Sequence, residues 1–276
     1  MSPEEWERYL LRATKSAEAR VSGLARQGDR GRKVGIGAAG DKTIYADKEA
    51  EEELLGYLNR VKGVRILSEE AGDAGDREGR VLAVVDPLDG SSNFEKGIPF
   101  YCTSVAIANG KGLDDVVVGV VRDLVNGNSY AAVKGGGARK NGRVIRTSST
   151  RAASSAVVGV DLSRSSAELV ERLGPLIAGV KRQVHLGANA LELCLLAEGK
   201  TDAFVDIRGR IRITDFAGAY LIAKEAGAVF SDEKGDELKP TFDLEHRFSF
   251  VASAGDSLHR QILELCGVRS RRGESP

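Results

Sequence analysis

The sequence is short of cysteine and histidine and has no net charge, and each shortage excludes a class of protein. The three cysteines lie far apart, at positions 102, 194 and 266, and form no CxxC pair, so we expect neither a disulfide framework nor a structural zinc site. The three histidines are not spaced as metal ligands. Because 40 basic residues balance 40 acidic ones, no overall positive field indicates a dedicated nucleic-acid-binding protein.

Long apolar segments are also missing. No run of 18 apolar residues occurs, so we expect no membrane span. The first 20 residues are amphipathic and include four acidic residues, which is unlike a signal or transit peptide, so we expect a cytoplasmic protein. One Met and three Gln beside 29% charged residues hint at a thermophilic source.

The sequence does contain enough apolar residues for a sizeable core, and it is rich in glycine. Hydrophobic residues make up 42% of the 276 positions, a length that fits one large domain or two ordinary ones. The 33 glycines have no collagen-like period, so they predict many turns and close backbone approaches.

Apolar patterning predicts two successive mixed α and β units that meet near residue 150. Helical spacing predicts helices over 3–27, 46–60, 165–178, 188–198, 214–226 and 256–266. Short apolar runs predict strands over 64–67, 81–85, 103–109, 116–124, 156–162, 182–186, 202–207 and 248–253. A mobile loop is expected over 28–42, a hairpin turn at Asn141-Gly142, and Ser165 or Ser166 as a helix cap. The predicted units are 1–150 and 151–268, followed by a disordered tail at 269–276.

One segment matches the GxGxxG dinucleotide fingerprint, but its context does not. The match runs from Gly35 to Gly40. A dinucleotide fingerprint follows a buried strand and opens a helix, whereas GDRGRKV precedes this one and DKTIYAD separates it from the next helix. We therefore interpret it as part of the loop.

The most informative segment is VLAVVDPLDGSSNF, residues 81–94. A buried strand brings Asp86 and Asp89 to its carboxyl end, with a proline fixing the backbone between them. Carboxylates and the Leu88 carbonyl are the oxygen ligands that divalent cations such as Mg²⁺ prefer. Gly90 and Ser91 follow with backbone N–H groups and a hydroxyl that suit a phosphate. Taken alone, the segment is equally typical of a plain turn.

Acidic residues from three other segments favour the metal site. Glu69 ends the preceding predicted strand, Asp215 stands at a predicted helix start, where it could also be an ordinary cap, and Asp47 lies near the Gly-rich loop. Like charges that repel one another become ligands once cations bind, as a two-metal phosphatase site requires.

These motifs together resemble the inositol monophosphatase superfamily of lithium-sensitive, Mg²⁺-dependent sugar phosphatases. The resemblance rests on Ser68-Glu69-Glu70, the run DPLDGSSNF at 86–94, and TDFAGA at 214–219. The match extends from residue 35 to residue 232. GIGAAGDKT and VDIRGRIRITD are most similar to the archaeal branch, which is associated with inositol monophosphatase and fructose-1,6-bisphosphatase activity. The resemblance implies an α+β fold layered α-β-α-β-α, with the site between two mixed subdomains.

The resemblance also implies roles for individual residues. The implied metal ligands are Glu69, Asp86, the Leu88 carbonyl, Asp89 and Asp215. Asp89, Gly90 and Ser91 would contact the phosphate, and Ser91 with Asp47 would orient the attacking water. Asn189 falls where relatives contact the sugar and Arg208 where archaeal relatives bind substrate, although a helix cap and a solvated charge are the alternatives. The implied cofactor is two or three Mg²⁺ ions, with Mn²⁺ as a substitute, and the implied assembly is a homodimer.

The Gly-rich loop departs from the archaeal pattern. Archaeal relatives commonly carry GADGT there, with an Asp thought to hold a third metal, whereas this chain has Ala39 at that position and Asp41 two residues later. Either Asp41 replaces the loop carboxylate or the third metal binds weakly.

Two other functions stay open at this point. The same fold could act on a nucleotide, as a 3′-phosphoadenosine 5′-phosphate phosphatase, although aromatic residues for base stacking are only 5% of the chain. The site could also belong to a non-catalytic binding protein, against which the complete set of acidic ligands argues. The sequence does not rank inositol phosphates against fructose 1,6-bisphosphate.

Overall fold

The structure is a computed structural model that describes residues 1–27, 31–38, 40 and 42–268. The helices within these ranges are α1 Pro3–Gln27, α2 Tyr45–Leu58, α3 Ser91–Lys96, α4 Ala167–Gly179, α5 Asn189–Ala197, α6 Ala217–Glu225 and α7 Asp256–Leu265. The first ten strands are β1 Lys33–Ile36, β2 Lys42–Ile44, β3 Val64–Ser68, β4 Gly72–Gly75, β5 Val81–Asp89, β6 Cys102–Ala108, β7 Val116–Asp123, β8 Ser129–Val133, β9 Ala138–Lys140 and β10 Arg143–Val144. The remaining strands are β11 Val157–Val160, β12 Arg182–Val184, β13 Ala203–Ile211, β14 Val229–Ser231 and β15 Phe248–Ser253.

An eight-stranded sheet forms the first half, in the order β10-β9-β8-β7-β6-β5-β3-β4. Neighbouring strands are antiparallel except for β3 and β5, which run parallel. Both faces of β5 are buried. Ala83 and Val85 face the core under α1 and α2, whereas Leu82 and Val84 face the core that includes α5 and α6. Alternation along a strand thus places helices on both sides of this sheet.

A five-stranded sheet follows, in the order β12-β11-β13-β15-β14. Strand β11 is parallel to both β12 and β13, so the carboxyl ends of these three strands share one edge. Helices α5 and α6 lie between the two sheets, and α4 and α7 cover the outer face of the second. The expected α-β-α-β-α layering is confirmed.

Helix α6 lies unusually close to the first sheet because two glycines meet there. A Cβ at Gly119 of β7 would stand 2.3 Å from the carbonyl oxygen of Gly218 in α6. On the opposite side, the Phe216 ring packs against Phe248 and Phe250 of β15, with centroids 5.1 and 4.8 Å apart. This packing fixes the start of α6 between the sheets.

Many of the predicted elements are confirmed, within a few residues. The predicted bounds of α1 are correct, Ser166 caps α4 by accepting a hydrogen bond from the Leu169 N–H at 3.2 Å, and Asn141-Gly142 turns between β9 and β10 with positive φ at both residues. No helix in the described ranges is long and apolar enough to cross a membrane.

Three local predictions are wrong. The segment predicted as a loop contains the antiparallel hairpin of β1 and β2. Because the GxGxxG segment lies in this hairpin, it lacks the strand–helix context of a dinucleotide fingerprint. Helix α6 begins at Ala217 with Phe216 at its N-cap, not at residue 214, because the Phe216 ring is held by β15. Strand β5 continues beyond residue 85 to Asp89, which pairs with Cys102 of β6 after a bulge. The predicted tail at 269–276 lies outside the described residues.

Candidate active site

Three carboxylates meet where the first sheet faces the start of α6. Asp86 lies on β5, Glu69 follows β3, and Asp215 precedes α6, and one oxygen from each lies within 4.8 Å of the others. Because β3 and β5 are parallel neighbours, their carboxyl ends share an edge, and the Glu69 N–H donates to the Val85 carbonyl at 3.2 Å. The cluster is therefore built into the sheet.

Asp89 joins this cluster to the second half of the chain. Its side chain is buried, and Oδ2 accepts a hydrogen bond of 2.7 Å from the Ala190 N–H in the first turn of α5. The adjacent Gly90 has φ +87°, and a Cβ there would lie 3.0 Å from the Phe100 carbonyl oxygen and 3.1 Å from the Ala188 Cβ. Only glycine allows the sharp turn from β5 into α3 at this crowded point.

Burial raises the pKa values of these carboxyl groups, and repulsion by a neighbouring carboxylate raises those of Glu69, Asp86 and Asp89 further. Loss of hydration on burial is the largest cause for Glu69, Asp86, Asp89 and Asp215 alike. The charge of Asp215 further raises the pKa of Glu69, Asp86 and Asp89. Buried like charges of this kind need cations, and hard carboxylate oxygens are the ligands that divalent cations prefer. The residues present therefore fit a divalent metal centre.

Arginine side chains also lie close to the cluster. Arg212, at the end of β13, forms an ion pair with Glu69. The charges of Arg212 and Arg247 lower the pKa of Asp215, but burial outweighs them and the pKa stays raised. Burial also lowers the pKa of Arg212 itself.

Asp47 and Ser91 face a common cavity beside the carboxylates. This cavity, called the Asp47 cavity below, has a volume of about 520 Å³ and is lined by Asp47, Glu69, Leu88, Ser91 and Arg164 among others. Asp47 belongs to the first turn of α2, and its Oδ2 accepts a 2.8 Å hydrogen bond from the Ile44 N–H. Burial, together with the charges of Glu70 and Glu51, raises the pKa of Asp47 to about 8.

Arginines line a second cavity on the other side of Asp215. This arginine cavity has a volume of about 690 Å³ and is lined by Asn189, Asp215, Arg164, Arg208, Arg210, Arg212 and Arg247 among others. Arg208 is bound on both sides, since its guanidinium pairs with Asp206 and Asp161 and donates to the Ser163 carbonyl at 2.9 Å. Arg164 borders both cavities, has φ +57°, and forms no ion pair within the described ranges.

The comparisons with known proteins agree with this geometry. The profile of the Inositol monophosphatase family matches residues 8–268, almost the whole chain. The chain belongs to the inositol monophosphatase family. This family is metal-dependent, and the acidic cluster described above is where a member could bind its metal.

Relatives and solved structures of the inositol monophosphatase family cover nearly all of this chain. A protein of Methanothermobacter thermautotrophicus named fructose-1,6-bisphosphatase/inositol-1-monophosphatase is 35% identical, covering 95% of this chain and 97% of its own. A protein of the same name from Thermococcus kodakarensis is 36% identical, with 94% and 96% covered. A Pyrococcus horikoshii structure, described as having similarities to inositol-1 monophosphatase, has 30% identity and a TM-score of 0.83, with 95% and 98% covered.

The residues expected in the site fall into two groups. Glu69, Asp86 and Asp215 form the carboxylate cluster, and the other expected residues of the first half adjoin it: Asp47, Leu88, Asp89, Gly90 and Ser91. Asn189 and Arg208 border the arginine cavity instead. Asp41 and Ala39 lie outside the described residues.

Sequence reasoning missed most of the arginine cavity. The run from Arg208 to Arg212 is visible as a cluster of basic residues, but Arg164 and Arg247 lie far from it along the chain. The hydroxyl of Thr43 donates a hydrogen bond to Glu70, whose charge raises the pKa of Asp47. Only the fold brings these segments together.

Proposed function

We propose that this protein hydrolyses the phosphate monoesters of inositol or of sugars, including fructose 1,6-bisphosphate, with two or three Mg²⁺ ions, which Mn²⁺ can replace. The observation that carries the proposal is the cluster of Glu69, Asp86 and Asp215, in which Asp86 is buried and the other two are half-buried where they line the two cavities. The names of the archaeal relatives support the same substrates.

The metal ligands are drawn from both halves of the chain. Glu69, Asp86, the Leu88 carbonyl, Asp89 and Asp215 would hold the cations, which when bound activate a water and neutralise charge on the phosphate. Asp89 is oriented for this task by the Ala190 N–H, and Asp86 Oδ1 by the Leu88 N–H at 3.0 Å. These hydrogen bonds keep the carboxylates in place before substrate arrives.

Ser91 and Asp47 are assigned to the attacking water. The Ser91 hydroxyl accepts from or donates to the water and so fixes its approach to phosphorus. Asp47 Oδ2 is held by the Ile44 N–H, so Oδ1 is the atom that accepts the proton. Before the step, nearby bound cations favour the charged carboxylate of Asp47 that accepts the proton. After the step, burial favours the protonated carboxyl group, as the raised pKa of Asp47 indicates.

The arginine cavity would receive the part of the substrate that does not react. Asn189 and Arg208 contact the sugar there, while the backbone N–H groups of Gly90 and Ser91 hold the phosphate that leaves. Arg164 and Arg210 form no ion pairs within the described ranges, so the cavity keeps positive charge for a second anionic group. We therefore expect a bisphosphate to bind more tightly than a monophosphate.

A screen of phosphate release tests the function. Inositol 1-phosphate, fructose 1,6-bisphosphate and 3′-phosphoadenosine 5′-phosphate are supplied with Mg²⁺, with and without Li⁺. Release from the sugar or inositol substrates and its inhibition by Li⁺ are expected. Release from the nucleotide alone would establish the alternative enzyme, and no release from any of them would revive the non-catalytic binding protein.

The nucleotide alternative has less support from the cavity. Among the described residues that line the arginine cavity, none is aromatic, so adenine has no ring on which to stack. A homodimer and a cytoplasmic location remain predictions, and gel filtration of the purified chain tests the first.

A further inference from the structure

One histidine lies between two buried carboxylates beneath the arginine cavity. His185 follows β12, and its Nδ1 stands 3.1 Å from Glu192 Oε1 while its Nε2 stands 3.4 Å from Asp161 Oδ1. The Glu192 and Asp161 side chains are only 3% and 7% exposed. The His185 Nε2 also stands 3.4 Å from the Ser163 hydroxyl, and the buried Nδ1 forms no hydrogen bond within the described residues, so the two carboxylates act on the ring through their charge. Two negative charges this close favour the imidazolium over the neutral ring.

The charged groups around His185 also favour its protonated form. Asp161, which follows β11, and Asp206, on β13, share the guanidinium of Arg208. Among the described residues, Glu192 on α5 pairs with no arginine or lysine. Buried carboxylates that lack a counter-charge are costly. Burial alone lowers the pKa of His185, and the positive charge of Arg208 opposes protonation, but the close contact with Glu192 and the charge of Asp161 outweigh both and raise the pKa.

Each carboxylate also holds one wall of the arginine cavity. Glu192 Oε1 accepts the N–H groups of Leu186 and Gly187, both at 3.0 Å, and so fixes the turn that leads into Asn189. Asp161 pairs with Arg208 on the opposite side. His185 lies between Glu192 and Asp161 and so connects these two walls of the cavity.

We propose that His185 is a positioning residue: as an imidazolium it joins Glu192 to Asp161 and holds Asn189 and Arg208 at a fixed separation across the arginine cavity. The inference rests on the proposed function, because it takes Asn189 and Arg208 as contacts of the non-reacting part of the substrate. Loss of the charge leaves two carboxylates repelling each other, so the walls separate and substrate binding weakens. The Asp47 cavity is not involved, so the chemical step is spared.

Steady-state kinetics with fructose 1,6-bisphosphate test the proposal. His185→Gln is expected to raise KM about tenfold at a pH near 6.5, with kcat lowered less than about twofold. The ratio of variant to wild-type KM should shrink as the pH rises, because the wild type then loses the same charge. His246→Gln, a change at an exposed histidine, is the matched control and should leave both constants unchanged. An unchanged KM in His185→Gln, or equal losses in KM and kcat at every pH, would overturn the proposal.

A titration by NMR provides a reading that does not depend on activity. The chain has three histidines, so His185→Gln identifies the His185 imidazole signals in the intact enzyme. His185 should titrate above the usual histidine range, and Glu192→Gln, which keeps the oxygen acceptor but removes the charge, should lower its pKa. A His185 pKa at or below that of free histidine, or one that Glu192→Gln does not lower, overturns the bridge. If the wild type hydrolyses no sugar phosphate, the proposed function fails, whereas this titration still decides whether the bridge exists.

Discussion

The contact between Gly119 and Gly218 sets how close α6, and with it Asp215, lies to the first sheet. A Cβ added at Gly119 would stand 2.3 Å from the Gly218 carbonyl oxygen, while ordinary contacts begin at 3.4 Å, so Gly119→Ala must move α6 by about 1 Å. The atom in the way belongs to the backbone, and no side-chain rotation relieves the clash. Asp215 precedes α6 by two positions and must move with it.

Gly119→Ala should therefore reduce both stability and activity. Overpacking of this kind costs about 1–3 kcal/mol, and an active-site displacement near 1 Å costs up to about 100-fold in rate. Thermal denaturation should show a Tm lower by about 5 °C, and a phosphate-release assay should show a fall of at least about tenfold in kcat/KM.

Gly56→Ala is the matched control for this change. Gly56 lies in α2, with nothing within 4 Å of an added Cβ, so alanine there should keep activity and slightly raise the Tm. Gly119→Ala with wild-type Tm and wild-type kcat/KM would refute the idea that the two glycines set the height of Asp215.

Three further predictions concern stability. Burial lowers the pKa of His259 from its ordinary value of 6.5 to about 4. The neutral imidazole therefore stabilises the fold by at most about 3 kcal/mol above pH 6.5, and this contribution is lost as the pH falls from 6.5 through 4. Urea denaturation at a series of pH values should show the loss in the wild type and not in His259→Asn. Ser166→Ala should lower the free energy of unfolding by about 1 kcal/mol by removing the cap of α4, measured by the same denaturation, and an unchanged midpoint would contradict it. Mg²⁺ should raise the Tm of the wild type, since it relieves the repulsion among buried carboxylates, and should raise that of Asp86→Asn much less; equal shifts would count against Asp86 as a ligand.

Much of the site could be predicted because its chemistry is concentrated in short segments. Asp86 and Asp89 lie three residues apart at the end of a strongly apolar run, and Glu69 directly follows β3, the strand that pairs with this run. Local patterns of this kind survive folding, since parallel strands must bring their ends to one edge.

Other features depend on distant contacts and leave no local sign. Arg208 pairs with Asp161, 47 positions away, and Arg164, whose backbone is left-handed, borders both cavities although it lies far from the other arginines along the chain. The strand β1 is exposed throughout, so it has no apolar alternation to mark it. The sequence predicts Asp215 within the first residues of a helix. In the structure the helix begins at Ala217, because the Phe216 ring packs against β15.

The Mg²⁺ dependence of phosphate release in Asp215→Asn tests most directly whether the carboxylate cluster is the catalytic metal centre. Asp76→Asn, a change at an exposed carboxylate outside both cavities, serves as the control. Asp215→Asn should lose at least about 1,000-fold in kcat/KM at saturating Mg²⁺, while Asp76→Asn stays within about twofold of the wild type. Both variants should keep the elution volume and circular dichroism spectrum of the wild type, so that the loss is not one of folding. Near-native, Mg²⁺-dependent turnover by Asp215→Asn would contradict the assignment of the cluster.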